Sequence, residues 1–330
     1  MHNTTLKDIA KATGLSVSTV SRLLNAKYDA KSEKAKRVAK IAKKLGYMPN
    51  HAAVMLRTNS SKTLGLIIPF INNGFFSTIL QGIESELKKF GYRVVICQSN
   101  DSSDEEKEAI MQLMRFKVDG IIISLAKNTQ NLELLASLNT TSTKVLQFDR
   151  TIDHENVPSL EMQDENATAL AMASLLEFGF KSFLYVGLSP DIINDKSRYT
   201  GYQNGLKDDC SFKRYYPEVI KAEELSEEID GIDCILCYND SIGVDILLAL
   251  KKLNVATPEK ISVLGFDDRP FCQWITPTLS SISRPIELLG KNAAQRILND
   301  INEKLELEEV VLEKPQLIIR DSILTHRTYS

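Results

Sequence analysis

Two constellations in this 330-residue chain combine residue types and spacings suited to recognition. The first is a set of polar residues placed just after apolar runs: Asn72 and Asn73 after 64–69, Asp149 and Arg150 after 145–148, Asn239 and Asp240 after 232–238, and Asp267 and Asp268 after 261–266. Carboxylates, amides and a guanidinium converging on one cleft suit a ligand dense in hydroxyl groups, and flat aromatic faces such as Phe75 and Phe76 suit the apolar side of a sugar ring. For Asp240 and Asp268 an alternative stands, in which each carboxylate caps the helix that follows. The second constellation is Val17, Ser18, Ser21, Arg22 and Asn25 at helical spacing. Small side chains let such a helix enter a major groove, and Arg22 can form paired hydrogen bonds to a guanine edge. Catalysis is not indicated. No G-x-G-x-x-G, G-x-x-x-x-G-K-[ST] or G-x-S-x-G occurs, and His2, His51, His154 and His326 lie away from the strand-end groups. An α/β enzyme is the remote alternative; no cofactor and no metal are expected.

The elements that must position these residues differ between the two ends of the chain. Thr5-Leu6-Lys7-Asp8 is a capping-box-like start, followed by Ile9 and Ala10 at helical spacing. Gly14 suits the left-handed end of that first helix, and Ser16 is placed to cap a second that turns Val20, Leu23 and Leu24 inward. Ser32 opens a third, with Ala35, Val38, Ile41, Ala42 and Leu45 on one face and six Lys and Arg elsewhere around it. This is a helix-turn-helix head over residues 1–48. Residues 49–62 form a hinge: Pro49 stops what precedes it, Asn50 can cap 51–57, and a seven-residue helix is too short to stand alone in water, where about 12–15 residues are marginal.

From residue 63 to 330, apolar runs at 64–69, 94–97, 120–124, 145–148, 183–187, 232–238 and 261–266 read as buried strands. Helical patterns at 78–90, 105–116, 165–178 and 242–253 separate them, the signature of parallel sheets with crossover helices. Ligands of such folds bind beyond the carboxyl ends of the strands.

Charge divides at the same place. Residues 1–62 carry 13 Lys and Arg against 3 Asp and Glu, so the overall −3 conceals a basic head and an acidic body. A basic head gains free energy by displacing counterions condensed on nucleic acid. Cys234 and Cys237 lie three apart in one strand and therefore point to opposite faces, as buried thiols rather than a metal or disulfide pair. The start of the chain has no basic-then-apolar signal pattern, and no run approaches the roughly 18 apolar residues that span a bilayer, so a cytoplasmic chain with no membrane partner is expected.

Leu6-Lys7-Asp8-Ile9-Ala10, the run Gly14 to Asn25 and Leu45-Gly46-Tyr47-Met48-Pro49-Asn50 resemble the head of the LacI/GalR family of bacterial repressors. The body resembles the same family through Gly82-Ile83-Glu84, Phe148-Asp149-Arg150, Arg198-Tyr199-Thr200-Gly201-Tyr202, Asn239-Asp240, Gly265-Phe266-Asp267-Asp268, Pro277-Thr278-Leu279 and Arg320-Asp321-Ser322. The resemblance implies an N-terminal all-α head plus a two-lobed α/β body like periplasmic sugar-binding proteins, with the chain crossing between lobes near 160 and over 285–320. It implies base reading by Val17, Ser18 and Arg22, and backbone contacts by Thr5, Ser16, Thr19, Ser21 and Asn25. Leu6 and Asn50 join the DNA-side candidates, and Leu56 matches the hinge leucine that wedges into the minor groove and bends the duplex. On the effector side it implies Asp149, Arg198, Asn239 and Asp267, with Asn73, Phe75 and Phe76 lining the same cleft. Departures are Val54, where many relatives are polar or basic, Gly74, where many sugar-responsive relatives have proline, and a short stretch over 207–233 that reduces the helix before Cys234 to about 223–229.

A short reading helix needs two copies on a two-fold site for useful specificity. The expected partners are therefore double-stranded, near-palindromic operator DNA, a second copy of the chain in a homodimer, and a small effector, a sugar or sugar phosphate, that releases a repressor of carbohydrate utilisation. The nearer alternative keeps the fold and reverses the logic, with a purine or nucleoside, or a partner protein, as co-repressor.

Overall fold

A computed structural model describes residues 4–25, 32–48, 55, 58, 60–72, 74–141, 143–160, 163–302 and 314–326. It divides into two compact units, Met1–Ser61 and Lys62–Ser330.

In the first unit, α1 (Leu6–Thr13), α2 (Val17–Asn25) and α3 (Glu33–Lys44) form where the cap residues place them. The Thr5 backbone N–H and hydroxyl both donate to the Asp8 carboxylate at 2.8 Å. Gly14 at φ 70° ends α1 and returns its N–H to the Ala10 carbonyl, a conformation that glycine alone adopts without a Cβ penalty. The Ser16 hydroxyl accepts from Thr19 N at 3.2 Å and opens α2, and Ser32 does the same for α3 through Ala35 N at 3.2 Å. The core they enclose is small: Ile9, Ala10, Val20, Val38 and Ala42, with Leu6, Leu15, Leu23, Leu24, Ile41 and Tyr47 packed around it.

The second unit holds two sheets. In chain order the first lobe is β1 (Thr63–Ile68), α4 (Gly74–Lys89), β2 (Arg93–Gln98), α5 (Ser103–Arg115), β3 (Gly120–Ile123), α6 (Leu132–Asn139) and β4 (Lys144–Gln147), with parallel sheet order β2-β1-β3-β4. The second lobe continues with α7 (Asp164–Glu177), β5 (Ser182–Val186), α8 (Ile193–Asn204), β6 (Ser211–Tyr215), α9 (Ala222–Glu228), β7 (Cys234–Cys237), α10 (Asp240–Lys252), β8 (Ser262–Asp267), a 3-10 turn (Pro270–Gln273) and β9 (Ser280–Ser283). The chain then returns to the first lobe as α11 (Ile286–Ile301), whose Leu289, Ala293, Ala294, Ile297 and Leu298 pack with Leu64, Phe76, Ile79 and Ile83. It re-enters the second sheet as β10 (Gln316–Ile318), antiparallel to β9, giving the order β10-β9-β8-β7-β5-β6.

All seven strands read from apolar runs are present, with ends moved by up to two residues. β6, β9 and β10 went unread because their sequences carry no apolar run: Ser-Phe-Lys-Arg-Tyr, Ser-Ser-Ile-Ser and a three-residue edge. Cys234 packs on one face of the second sheet and Cys237 on the other, and all five cysteines are free. No helix among the described residues is long and apolar enough to cross a membrane.

The return of α11 onto α4 fixes the first lobe, and two glycines make it possible. A Cβ at Gly82 would stand 2.1 Å from the Glu287 carbonyl oxygen, and one at Gly290 would stand 2.2 Å from that of Ile79. These are backbone atoms that cannot swing aside. Gly82→Ala is expected to force the helices apart and destabilise the unit by about 1–3 kcal/mol, read as a melting temperature lowered by several degrees in calorimetry; a variant melting with the parent contradicts the close approach.

Candidate functional site

The head presents one coherent outer face. With Val20 buried and Leu23 and Leu24 packed on the core, α2 turns Val17, 41% exposed, and the exposed Ser18 and Arg22 to solvent. Ser21 and Thr19 are half-buried beside them, and the exposed Ser16 bonds the hydroxyls of Ser18 and Thr19 at 2.9 and 2.8 Å. Thr5 is exposed at the start of α1, whereas Leu6 packs against the core. Lys34, Lys36, Arg37, Lys40, Lys43 and Lys44 are exposed along α3. Of these, Lys36 pairs with Glu33 at 2.9 Å, both well solvated, and such a pair contributes at most about 1 kcal/mol. Asn25 is the last residue of α2; its side chain, Asn50, Leu56 and the hinge over 51–57, Met55 apart, lie outside the described residues.

In the body, a buried network of ions gathers where β8 and β9 of the second sheet end. Asp164, the first residue of α7, sits at the first crossing between lobes and Arg284, just after β9, at the second. Arg284 reaches Asp164 at 3.0 Å and also binds Asp267 at the end of β8. Arg198 of α8 donates from Nε to Asp164 at 2.8 Å and from Nη1 to the Tyr238 carbonyl. Both guanidiniums lie against Phe266, with Arg198 3.9 Å and Arg284 4.9 Å from the ring centroid, and Arg284 also approaches Phe75 at 5.3 Å. A second chain of hydrogen bonds joins the lobes directly. Asp149, held at φ 57°, accepts from Ser124 Oγ at 3.3 Å and from Asn194 Nδ2 at 3.2 Å, and Asn194 in turn accepts from the Tyr238 hydroxyl at 3.2 Å. Arg150 is paired with Asp101 at 2.6 Å, and Arg320 with Asp268 at 2.7 Å.

Burial and charge set the protonation of these groups. Burial pushes Asp149 up to about 6 despite the opposing charges of Arg284, Arg150 and Arg198. Burial, reinforced by the charge of Asp267, pushes Asp240 up to about 7. Burial also works against the charged form of Asp164, but Arg284 and Arg198 outweigh it and hold that carboxyl below its ordinary value.

The structure thus brings Asp149, Arg198 and Asp267 together around Arg284. Asn239 caps α10, its side chain accepting from Ile242 N at 3.0 Å. Of the two proposed capping carboxylates, Asp240 instead lies buried inside α10, accepting from Ser281 Oγ and from Arg269 N at 2.7 Å, and Asp268 is the partner of Arg320. Phe76, expected to offer an open face, is 2% exposed and packs edge-on against Phe148 in the first-lobe core. Phe75 is also buried, its ring facing Arg284. Asn73 lies outside the described residues. Asp164, Asn194 and Arg284 were missed. Arg284 follows a strand of serines that no apolar run announces, and Asn194 and Asp164 sit in helices, where a strand-end rule does not look. No cluster of His, Cys, Asp or Glu suited to a metal ion occurs among the described residues.

Residues 5–50 match the bacterial regulatory proteins of the lacI family, and residues 61–321 match the periplasmic binding proteins and sugar binding domain of the LacI family. The chain belongs to the LacI family. It is a DNA-binding transcriptional regulator and not an enzyme. The HTH-type transcriptional regulator IdnR of Escherichia coli (strain K12) is 30% identical over 91% of this chain and 92% of its own length, and RegA of Clostridium saccharobutylicum is 30% identical over 97% and 99%. Among solved structures, a lac repressor dimer bound to operator and the anti-inducer ONPF shares the fold at a TM-score of 0.80 and 21% identity, covering 98% of this chain and all of that one. In this LacI-family chain, therefore, the three-helix head and the two-lobed parallel-sheet body expected from the sequence are both present.

The titration of the buried carboxyls has a measurable sign. An unfolded Asp titrates near 4, so between about pH 4 and 7 the folded body holds more protons on Asp149 and Asp240 than the unfolded chain does. Their contribution to stability therefore declines as pH rises across that window, while Asp164 acts only below it. Asp240→Asn is expected to shrink the fall in melting temperature between pH 5 and 8; a slope identical to the parent's contradicts the assignment.

Proposed function

We propose that this LacI-family regulator is a repressor of carbohydrate-utilisation genes, acting in the cytoplasm as a homodimer on a near-palindromic operator, and released when a small sugar-like inducer enters the cleft between the lobes of the body. The observation that carries the reading is the ring of directional donors and acceptors formed by Asp149, Asp267 and Arg284 at strand ends and Asn194 and Arg198 of α8, bordered by Phe75 and Phe266. Such a ring matches a polyhydroxylated ligand, since each hydroxyl both donates and accepts. A ligand that bridges groups from both lobes stabilises one relative pose of those lobes over another, and only such differential affinity shifts an equilibrium. A coupling of 1–3 kcal/mol would change operator affinity roughly 5- to 150-fold.

On the DNA side, Val17, Ser18 and Arg22 read base edges, Thr5, Ser16, Thr19, Ser21 and Asn25 hold phosphates, and Leu56 wedges into the minor groove. The solved lac repressor dimer on operator supports the dimeric arrangement, and the CelR–cellobiose complex, at a TM-score of 0.67 and 21% identity, supports a sugar as the class of ligand. A second reading comes from relatives named as the repressor PurR, 25% identical in Vibrio vulnificus (strain CMCP6) and 27% in Pasteurella multocida (strain Pm70): the same cleft would take a purine that tightens binding.

Retention of a labelled operator fragment separates the two logics, with release by a sugar expected and tightening by a nucleobase contradicting it. Arg22→Ala is expected to cost about 1–3 kcal/mol and to relax preference at one base pair. Leu56→Ala is expected to weaken operator binding while sparing salt-sensitive binding to random duplex; equal loss on both DNAs removes the wedge role.

A further inference from the structure

Arg269, two residues beyond the end of β8, is a cleft cation outside the ion network. Its backbone N–H donates to Asp240 at 2.7 Å, its Nη1 donates to Ser241 Oγ at 2.7 Å, and its guanidinium lies 4.7 Å from the Phe271 ring centroid. From the second lobe it reaches Gly74, the first residue of α4 in the first lobe: a Cβ there would stand 3.5 Å from Nη2 and 3.8 Å from Nε. Arg150, Arg198, Arg284 and Arg320 each have a carboxylate within 3.0 Å. Arg269 has none within salt-bridge distance among the described residues, and its Nε is buried with no acceptor among the protein's own groups.

A buried N–H of a cation left without an acceptor costs more than an ordinary hydrogen bond gains. Gly74, on the other side of the gap that Arg269 faces, is the first residue of α4, so the positive end of that helix's dipole lies at the same gap. A neutral hydroxyl offers that gap one weak acceptor. A planar or tetrahedral anion offers two or three oxygens, matching the paired geometry that a guanidinium presents through Nε and Nη2.

We propose that Arg269 grips an anionic group, a carboxylate or a phosphate monoester, carried by the effector, so that the effector is an acidic polyhydroxy compound and not a neutral sugar. This rests on the cleft being the effector site. Bound there, the anion bridges Arg269 of the second lobe and the start of α4 in the first, while the hydroxyls of the same molecule face Asp149, Asn194 and Arg198.

The test is isothermal titration of the full chain with hexonates, hexuronates and hexose phosphates, each against its neutral parent: D-gluconate and D-glucose 6-phosphate against D-glucose, and so through the panel. Binding is expected only from anionic members, the carboxylate and phosphate arms telling which group is read. Arg269→Gln is expected to weaken that binding about tenfold or more, with Arg269→Lys restoring part of it, in variants whose unliganded melting matches the parent. A neutral sugar bound equally by parent and Arg269→Gln overturns the role of Arg269 and leaves the sugar cleft standing, as does an anion bound equally by both. A panel in which neither neutral nor anionic members bind overturns both readings.

Discussion

Arg284 binding Asp164 and Asp267 at once is the contact on which the geometry of the body depends. Its side chain is 3% exposed and those of the two carboxylates 1% and 8%, so all three ions have left water, a transfer that costs several kcal/mol per ion unless charge and hydrogen bonds compensate. They do so only in one arrangement. Asp164 stands where the chain first crosses between lobes, Arg284 where it crosses back, and Asp267 at the end of a second-lobe strand, so the requirement that these charges meet fixes the two crossings against each other and against the second sheet. Arg198, sharing Asp164 and stacked on Phe266, extends the constraint into α8.

This has a consequence for the cleft. Arg198 and Arg284 are already paired with Asp164 and Asp267, so the hydroxyls of a ligand act on this network by bridging lobes, and Arg269 is left as the cleft cation without a carboxylate among the described residues. Asp149 and Asn194 make a side-chain link that runs straight from the end of the first sheet to a second-lobe helix, and a ligand hydroxyl can substitute for either partner in it. Closely packed lobes joined by such exchangeable contacts have discrete alternative poses rather than a continuum, the property a regulator needs to convert occupancy of a cleft into a change at distant DNA.

Much of this was legible from residue order. The head could be read nearly whole, because Thr5, Gly14, Ser16 and Ser32 are strong local signals at the ends of short amphipathic helices and the core they bury is contiguous in sequence. The buried strands announced themselves as apolar runs, and the alternation within 234–237 foretold that its two thiols face different layers. What escaped reading was set by tertiary contact. Ser280–Ser283 is a strand only because Leu264–Asp267 lies beside it, so Arg284 could not be recognised as a strand-end residue. Asp240 does not cap the helix because the Asn239 amide holds the cap position, and the carboxylate accepts instead from Ser281 and the Arg269 backbone. Phe76 could not be told from a cleft aromatic, since lining and core share one helix face.

The most direct measurement of the central constraint is a double-mutant cycle in the full chain, comparing denaturant unfolding of the body in Asp164→Asn, Arg284→Met and the two combined. If one shared buried network holds the crossings, the double variant loses less than the sum of the single variants, with a coupling on the order of 1–3 kcal/mol. Additive losses would mean that Asp164 and Arg284 stabilise the lobes independently, and the network would cease to explain how the cleft is held.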